Sequence, residues 1–199
     1  MIILNNKIYE AFNKKLQFEK HLLDLFVYEN DNTKLSPSFR DKRNYPFYYF
    51  LGKNINPENV LMVGTCGGYK SGFLCYSTSS VKNLFVYDFY NNKSLMRLTR
   101  NNLGKFRNVK KQFFNDKNKD VYFKNDFFDL IIFDDIKTIE KKENLYFYYD
   151  LLKNNGYMVF DKVFDNKEIV DYVINFANKR NIVFEKFQTR NQTLIIKKN

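Results

Sequence analysis

The apolar run Val60-Leu61-Met62-Val63 stops at a glycine cluster, Gly64-Thr65-Cys66-Gly67-Gly68, and four later apolar runs stop at acidic or amide side chains. Glycines at such a junction let the backbone turn sharply and approach a ligand closely, and a helix predicted over 70–79 would aim its unpaired N–H groups at that ligand. Open α/β sheets build nucleotide-type sites this way, at the carboxyl end of the first strand. Gly64, Thr65, Cys66 and Gly68 are therefore candidate contacts to such a ligand.

Asp88 ends the run Leu84-Phe85-Val86-Tyr87, 24 residues beyond Gly64. An acidic residue about 20 residues after the glycine loop can accept hydrogen bonds from both ribose hydroxyls. Asn115-Asp116 closes the next run, where polar groups could meet a base edge. A simple Asn-Asp turn fits those two residues equally well. The segment Phe128-Asp129-Leu130-Ile131-Ile132-Phe133 delivers Asp134 and Asp135, with Lys137 three residues after Asp134. Paired carboxylates at a strand end can hold a divalent cation or orient a substrate. A lysine beside them can serve as a base when burial lowers its pKa. Asp161 follows Tyr157-Met158-Val159-Phe160 as a further acid at a strand end.

Elements that bring these residues to one place can be read from the periodicity. Ile8, Phe12, Leu16, Leu22, Leu23 and Phe26 recur near the helical period, and a second helix is predicted over 45–53. Strands are then predicted over 60–63, 84–87, 109–114, 130–133 and 157–160, with helices over 70–79, 91–103 and 138–152 between most of them. Such alternation implies crossover units and a mostly parallel sheet. Within the Leu151–Gly156 turn, Gly156 is expected to be the left-handed residue. A helix over 166–180 and two strands, 182–187 and 193–197, close the chain as a hairpin, so the last strand is expected to be antiparallel. The whole is read as one domain, 1–199, with a helical cap over 1–55 and a Rossmann-like core over 56–199.

Composition narrows the function classes. With 44% hydrophobic residues, 15 Tyr and 22 Phe, the 199-residue chain is rich enough in apolar side chains for a folded core. No apolar run approaches the roughly 20 residues of a membrane span, and no secretory signal is visible, so no membrane partner is expected. Two cysteines, Cys66 and Cys75, make no disulfide framework and no zinc spacing, which points to a reducing, cytoplasmic setting. The net charge of +11 admits a nucleic-acid partner. The basic residues are dispersed, however, and a Lys/Asn/Ile/Phe/Tyr-rich composition is also what an AT-rich coding sequence produces. The only histidine, His21, lies beside Leu22 and Leu23 and reads as structural or surface. The aromatic clusters Tyr45–Phe50 and Tyr146–Tyr149 read as core.

The order of these motifs resembles class I S-adenosylmethionine-dependent methyltransferases from about Asn56 to the C-terminus. It runs from the glycine-rich loop through Asp88, Asn115-Asp116 and Phe-Asp-Leu-Ile-Ile-Phe-Asp-Asp to Leu-Leu-Lys-Asn-Asn-Gly-Tyr. The resemblance implies a three-layer fold whose seven-stranded sheet ends antiparallel, with S-adenosylmethionine as cofactor. It places Gly64, Thr65, Cys66 and Gly68 at the cofactor, Asp88 at the ribose, Asn115 and Asp116 by the adenine, and Asp134 at the methionine end or the acceptor. Asp134-Asp135-Ile136-Lys137 followed by Asp161 is similar to the cation-dependent small-molecule O-methyltransferases of the catechol and caffeoyl-CoA type. That similarity implies Asp134 and Asp161 as metal ligands and Lys137 as catalytic base.

Three departures bear on these implications. Met62 stands where the family has an acidic residue, Cys66 replaces the middle glycine, and Lys162 stands where the metal-dependent members have Asn. An ammonium repels a cation and cannot ligate one. The expected activity is methyl transfer to an oxygen of a small-molecule acceptor. An RNA or DNA methyltransferase, or a degenerate fold serving as a binding or scaffold module, are the alternatives. Neither the acceptor nor the oligomeric state is readable from these motifs.

Overall fold

The computed structural model describes residues 4–16, 45–88, 93–115, 123–134, 139, 142–163, 166–189 and 192–199, without the side chains of Cys66, Asp88, Lys142 and Glu143. Among the described residues two helices come first, α1 (Asn6–Leu16) and α2 (Tyr45–Ile55). Then follow β1 (Asn59–Val63), a 3-10 turn at Cys66–Gly68, α3 (Tyr69–Ser77), β2 (Asn83–Asp88), α4 (Lys93–Gly104) and β3 (Lys110–Asn115). The chain closes with β4 (Phe128–Phe133), α5 (Lys142–Leu151), β5 (Leu152–Asp161), α6 (Lys167–Lys179), β6 (Val183–Phe187) and β7 (Thr193–Lys197).

The sheet has seven strands in the order β3-β2-β1-β4-β5-β7-β6. All neighbours from β3 to β5 pair in parallel, and β7 runs antiparallel to both β5 and β6. The seven-stranded, three-layer architecture expected from the motif order is the one observed. Every residue of β1 is buried, because helices cover both faces of a central parallel strand. The edge strand β3 is mostly half-buried and starts with Lys110 and Lys111, charges that discourage pairing with another chain. One core packs α1 to α4 against Val60, Met62, Leu84, Val86, Leu130 and Ile132. The second packs α5 and α6 against the alternate residues Leu61, Val63, Phe85, Ile131, Phe133 and Met158. This period-two division is the strand geometry itself.

Two local expectations are corrected. No turn separates α5 from β5, since the strand starts at Leu152 and its pairing with β4 slips between Phe128 and Leu130 to accommodate residues 153–156. The left-handed residue there is Asn155 (φ 64°), not Gly156. Gly156 is needed for space, because a Cβ would lie 2.8 Å from the Lys153 carbonyl oxygen and 2.9 Å from Leu152. The cluster on α5 is also not uniformly core, for Tyr146 and Phe147 are about half exposed. In contrast, Tyr45, Phe47, Tyr48 and Phe50 on α2 are buried as expected. No helix among the described residues is long and apolar enough to cross a membrane. Leu22, Leu23, Phe26 and His21 lie outside the described residues.

Candidate functional site

Strand register gathers the sequence candidates into one row. Val63 pairs with Tyr87 on one side and Phe133 on the other, Asp88 pairs with Asn115, and Phe133 pairs with Phe160. One step further along each strand, Asn115, Asp88, Gly64, Asp134 and Asp161 occupy successive places across the carboxyl edge of the sheet. Two further hydrogen bonds hold the row, Gly64 N–H to the Tyr87 carbonyl (2.8 Å) and Asp134 N–H to the Val63 carbonyl (2.9 Å). Adjacent members are about 5 Å apart, the spacing of neighbouring strands.

Positive φ at the loop falls on Gly64 (95°), Gly67 (62°) and Gly68 (80°). Gly64 is doubly constrained, since a Cβ there would stand 2.7 Å from the Asp134 Cβ. The Asn102 side chain of α4 donates to the Gly67 carbonyl at 2.9 Å and pins the loop from behind. Thr65 is buried, and its hydroxyl oxygen has no hydrogen-bond partner among the described residues. Gly68 precedes α3 in the left-handed region, so the helix starts directly on the turn. Asp116 and Lys137 lie outside the described residues, and Asp88 is placed by its backbone alone.

Asp134 and Asp161 do converge, and between them stands Lys70. Its Nζ lies 2.5 Å from Asp134 Oδ1 and also contacts Asp161 Oδ2. The same ammonium sits 5.2 Å from the centroid of the Tyr48 ring. Asp161, 1% exposed, accepts further hydrogen bonds from the Tyr48 hydroxyl (2.9 Å), its neighbour's Lys162 N–H (2.8 Å) and the Thr193 hydroxyl (3.4 Å). Burial, and after it the Asp161 carboxylate, push the Tyr48 phenol well above its ordinary range, so Tyr48 is a neutral donor. Lys162 approaches from the outer side, with Nζ 3.7 Å from Asp134 Oδ2, and holds a left-handed backbone (φ 57°) that non-glycine residues adopt at a cost.

These contacts test the implied divalent cation. Such an ion takes six or more oxygen ligands at about 2.0–2.6 Å. Here the carboxylates converge on an ammonium, and a second ammonium flanks Asp134. Among the described residues no group of three His, Cys, Asp or Glu side chains is arranged to hold a metal. The residues present do not fit the ion.

The sequence reading missed Lys70 and Tyr48. A signal existed for Lys70, the single charge in a helix whose other residues from Tyr69 to Cys75 are apolar or small and which is buried nearly throughout. For Tyr48 there was none, because it lies among equally bulky aromatic neighbours.

No protein-family profile matches the chain, and no curated protein matches it in sequence. Solved structures match it in shape. A Podospora anserina methyltransferase bound to S-adenosylhomocysteine superposes with TM-score 0.66 at 12% identity, over 100% of this chain and 99% of that one. An O-methyltransferase from Bacillus cereus in complex with S-adenosylhomocysteine gives 0.58 at 16% identity, over 94% and 91%. The O-methyltransferase TomG from Streptomyces achromogenes, in complex with S-adenosylmethionine, gives 0.56 at 14% identity, over 100% and 93%. The chain has the fold of the class I S-adenosylmethionine-dependent methyltransferases.

Proposed function

We propose that this protein transfers the methyl group of S-adenosylmethionine to an oxygen of a small-molecule acceptor. The observation that carries the reading is the row Asn115, Asp88, Gly64, Asp134, Asp161 at one sheet edge, with the left-handed glycine turn at its centre. The structures of like fold that are bound to S-adenosylmethionine or its demethylated product, two of them O-methyltransferases, support the cofactor and the oxygen.

In this reading the backbone at Gly64, Thr65, Cys66 and Gly68 lies against the methionine part of the cofactor. Asp88 accepts from the ribose hydroxyls, and Asn115 with Asp116 flanks the adenine. Asp134 faces the sulfonium end or the acceptor. The reaction is an in-line displacement in which the acceptor oxygen bonds to the methyl carbon as the carbon–sulfur bond breaks. A sulfonium is already an activated leaving group, so alignment supplies much of the rate. Lys137 takes the acceptor proton where the acceptor enters protonated. A reducing cytoplasm accords with the free, buried thiol of Cys75.

Calorimetric titration with S-adenosylmethionine and S-adenosylhomocysteine, followed by radiolabelled methyl transfer to a panel of hydroxylated small molecules, tests the proposal. Saturable binding with label appearing as a methyl ether supports it. Absence of binding at millimolar cofactor assigns the chain to the scaffold alternative.

A further inference from the structure

We propose that Lys70 is the resident cation of this site, its ammonium holding Asp134 and Asp161 together where the cation-dependent enzymes resembled in sequence use a divalent ion. The proposal deepens the methyltransferase reading by naming the group that positions the reacting rim, and its test requires no methyl transfer.

Position makes Lys70 suited to the task. It lies in the first turn of α3, immediately after the glycine turn, and is 3% exposed. Its stem therefore runs from a fixed helix start toward the row of strand ends, and its Nζ meets one carboxylate from β5 and one from the residue after β4. An ammonium has three donors, and two of its directions are taken by these acids while the Tyr48 ring shields a further side. Tyr48, in turn, donates to the same Asp161 oxygen that contacts Lys70. The acids, the ammonium and the phenol form one network anchored on four elements, with Lys70, Asp161 and Tyr48 buried and Asp134 partly exposed at its rim.

Charge arithmetic also favours the lysine over a metal. With Lys162 at the outer oxygen of Asp134, two carboxylates face two ammonium groups, which leaves the described cluster neutral. A divalent ion entering this space would meet an ammonium already 2.5 Å from the nearer carboxylate oxygen. Lys70 cannot withdraw without carrying an unpaired charge through the protein interior, because α3 is packed on nearly all sides. Lys70 is thus a positioning residue. The acceptor is held by direct contacts at the rim, and chelation through a shared metal ion has no place in it.

The experiment compares wild type with Lys70→Ala, each with chelator and with millimolar Mn2+ or Mg2+. Wild type is expected to take up no Mn2+ by electron paramagnetic resonance and to melt at the same temperature in both conditions. Lys70→Ala uncovers two facing carboxylates, so it should melt lower in chelator, bind Mn2+, and gain several degrees when the ion is added. That gain should vanish in Lys70→Ala combined with Asp134→Asn. Stoichiometric Mn2+ uptake by wild type that is lost in Asp134→Asn overturns the proposal, as does a folded Lys70→Ala protein that neither ion stabilises. If Lys70→Ala does not fold, the wild-type titration decides alone, no uptake supporting the proposal and uptake overturning it. A protein blind to metal that also fails to bind S-adenosylmethionine would refute the methyltransferase reading and leave the lysine assignment in place.

Discussion

The Tyr48 hydroxyl donates to Asp161 Oδ2 at 2.9 Å, tying the helix that precedes the sheet to the end of its fifth strand across 113 residues. Both groups are buried, Tyr48 and Asp161 each at 1% exposure. Tyr48→Phe keeps the ring against Phe47 and over Lys70 and removes only this bond. A buried hydrogen bond to a charged acceptor is worth about 1.5–3 kcal/mol. Urea unfolding should report a loss of that size with an unchanged m-value. A change below about 0.5 kcal/mol would mean that the bond is dispensable to the network.

Gly64→Ala should damage both the fold and the cofactor site. Its φ of 95° is unfavourable for any L side chain, and the new methyl would sit 2.7 Å from the Asp134 Cβ. Alanine at positive φ together with overpacking costs about 1–3 kcal/mol or more. S-adenosylhomocysteine affinity measured by calorimetry should fall at least tenfold. Affinity equal to that of wild type would place the cofactor elsewhere.

Asp88→Ala tests the proposed ribose contact at the end of β2. Loss of charge-assisted hydrogen bonds should weaken S-adenosylmethionine binding by about 1–3 kcal/mol and leave the melting temperature of the unliganded protein nearly unchanged. Equal losses of stability and affinity would instead make Asp88 a structural strand-end residue.

Alkaline pH should destabilise the protein in a defined window. Burial, with a smaller push from Asp161, raises Tyr9 to about 12, burial raises Cys75 to about 12 against a partial pull from Lys111, and burial together with Asp161 holds Tyr48 well above its ordinary range. These groups hold their protons more tightly folded than unfolded, so stability is intact below about pH 9 and falls as pH climbs through 10 toward 12. Urea midpoints at steps across that range should show the decline, and Tyr9→Phe and Cys75→Ala should each flatten it. A flat wild-type profile would contradict the burial of these groups. Cys75 should correspondingly resist alkylation at pH 8 until denaturant is added.

Much of the site could be read along the chain because its members are where apolar strands stop. β1, β2, β3 and β4 each have an apolar segment bounded by a glycine or a polar side chain, and parallel strands bring such boundaries to one edge. Most helix and strand ends shifted by a residue or two, since fraying and pairing set them more than composition does, while β5 starts five residues before the expected 157 and α5 four residues after the expected 138. The turn at 151–156 misled because Asn155 and Gly156 both tolerate unusual backbone. Only the packing of Leu152 and Lys153 assigns the left-handed conformation to one and the need for space to the other.

The sequence by itself determined the alternation of strands and helices, the sheet with its antiparallel last strand, and the acids at the strand ends. Those properties follow from periodicity and from glycine's freedom at φ above zero, which are local. Only the tertiary structure decided what the acids face. Lys70 is 64 residues before Asp134 and 91 before Asp161, and Tyr48 lies earlier still. Their meeting depends on how α2 and α3 pack over the sheet, and a lysine's four-carbon stem can turn toward solvent or inward with equal ease until its neighbours close around it.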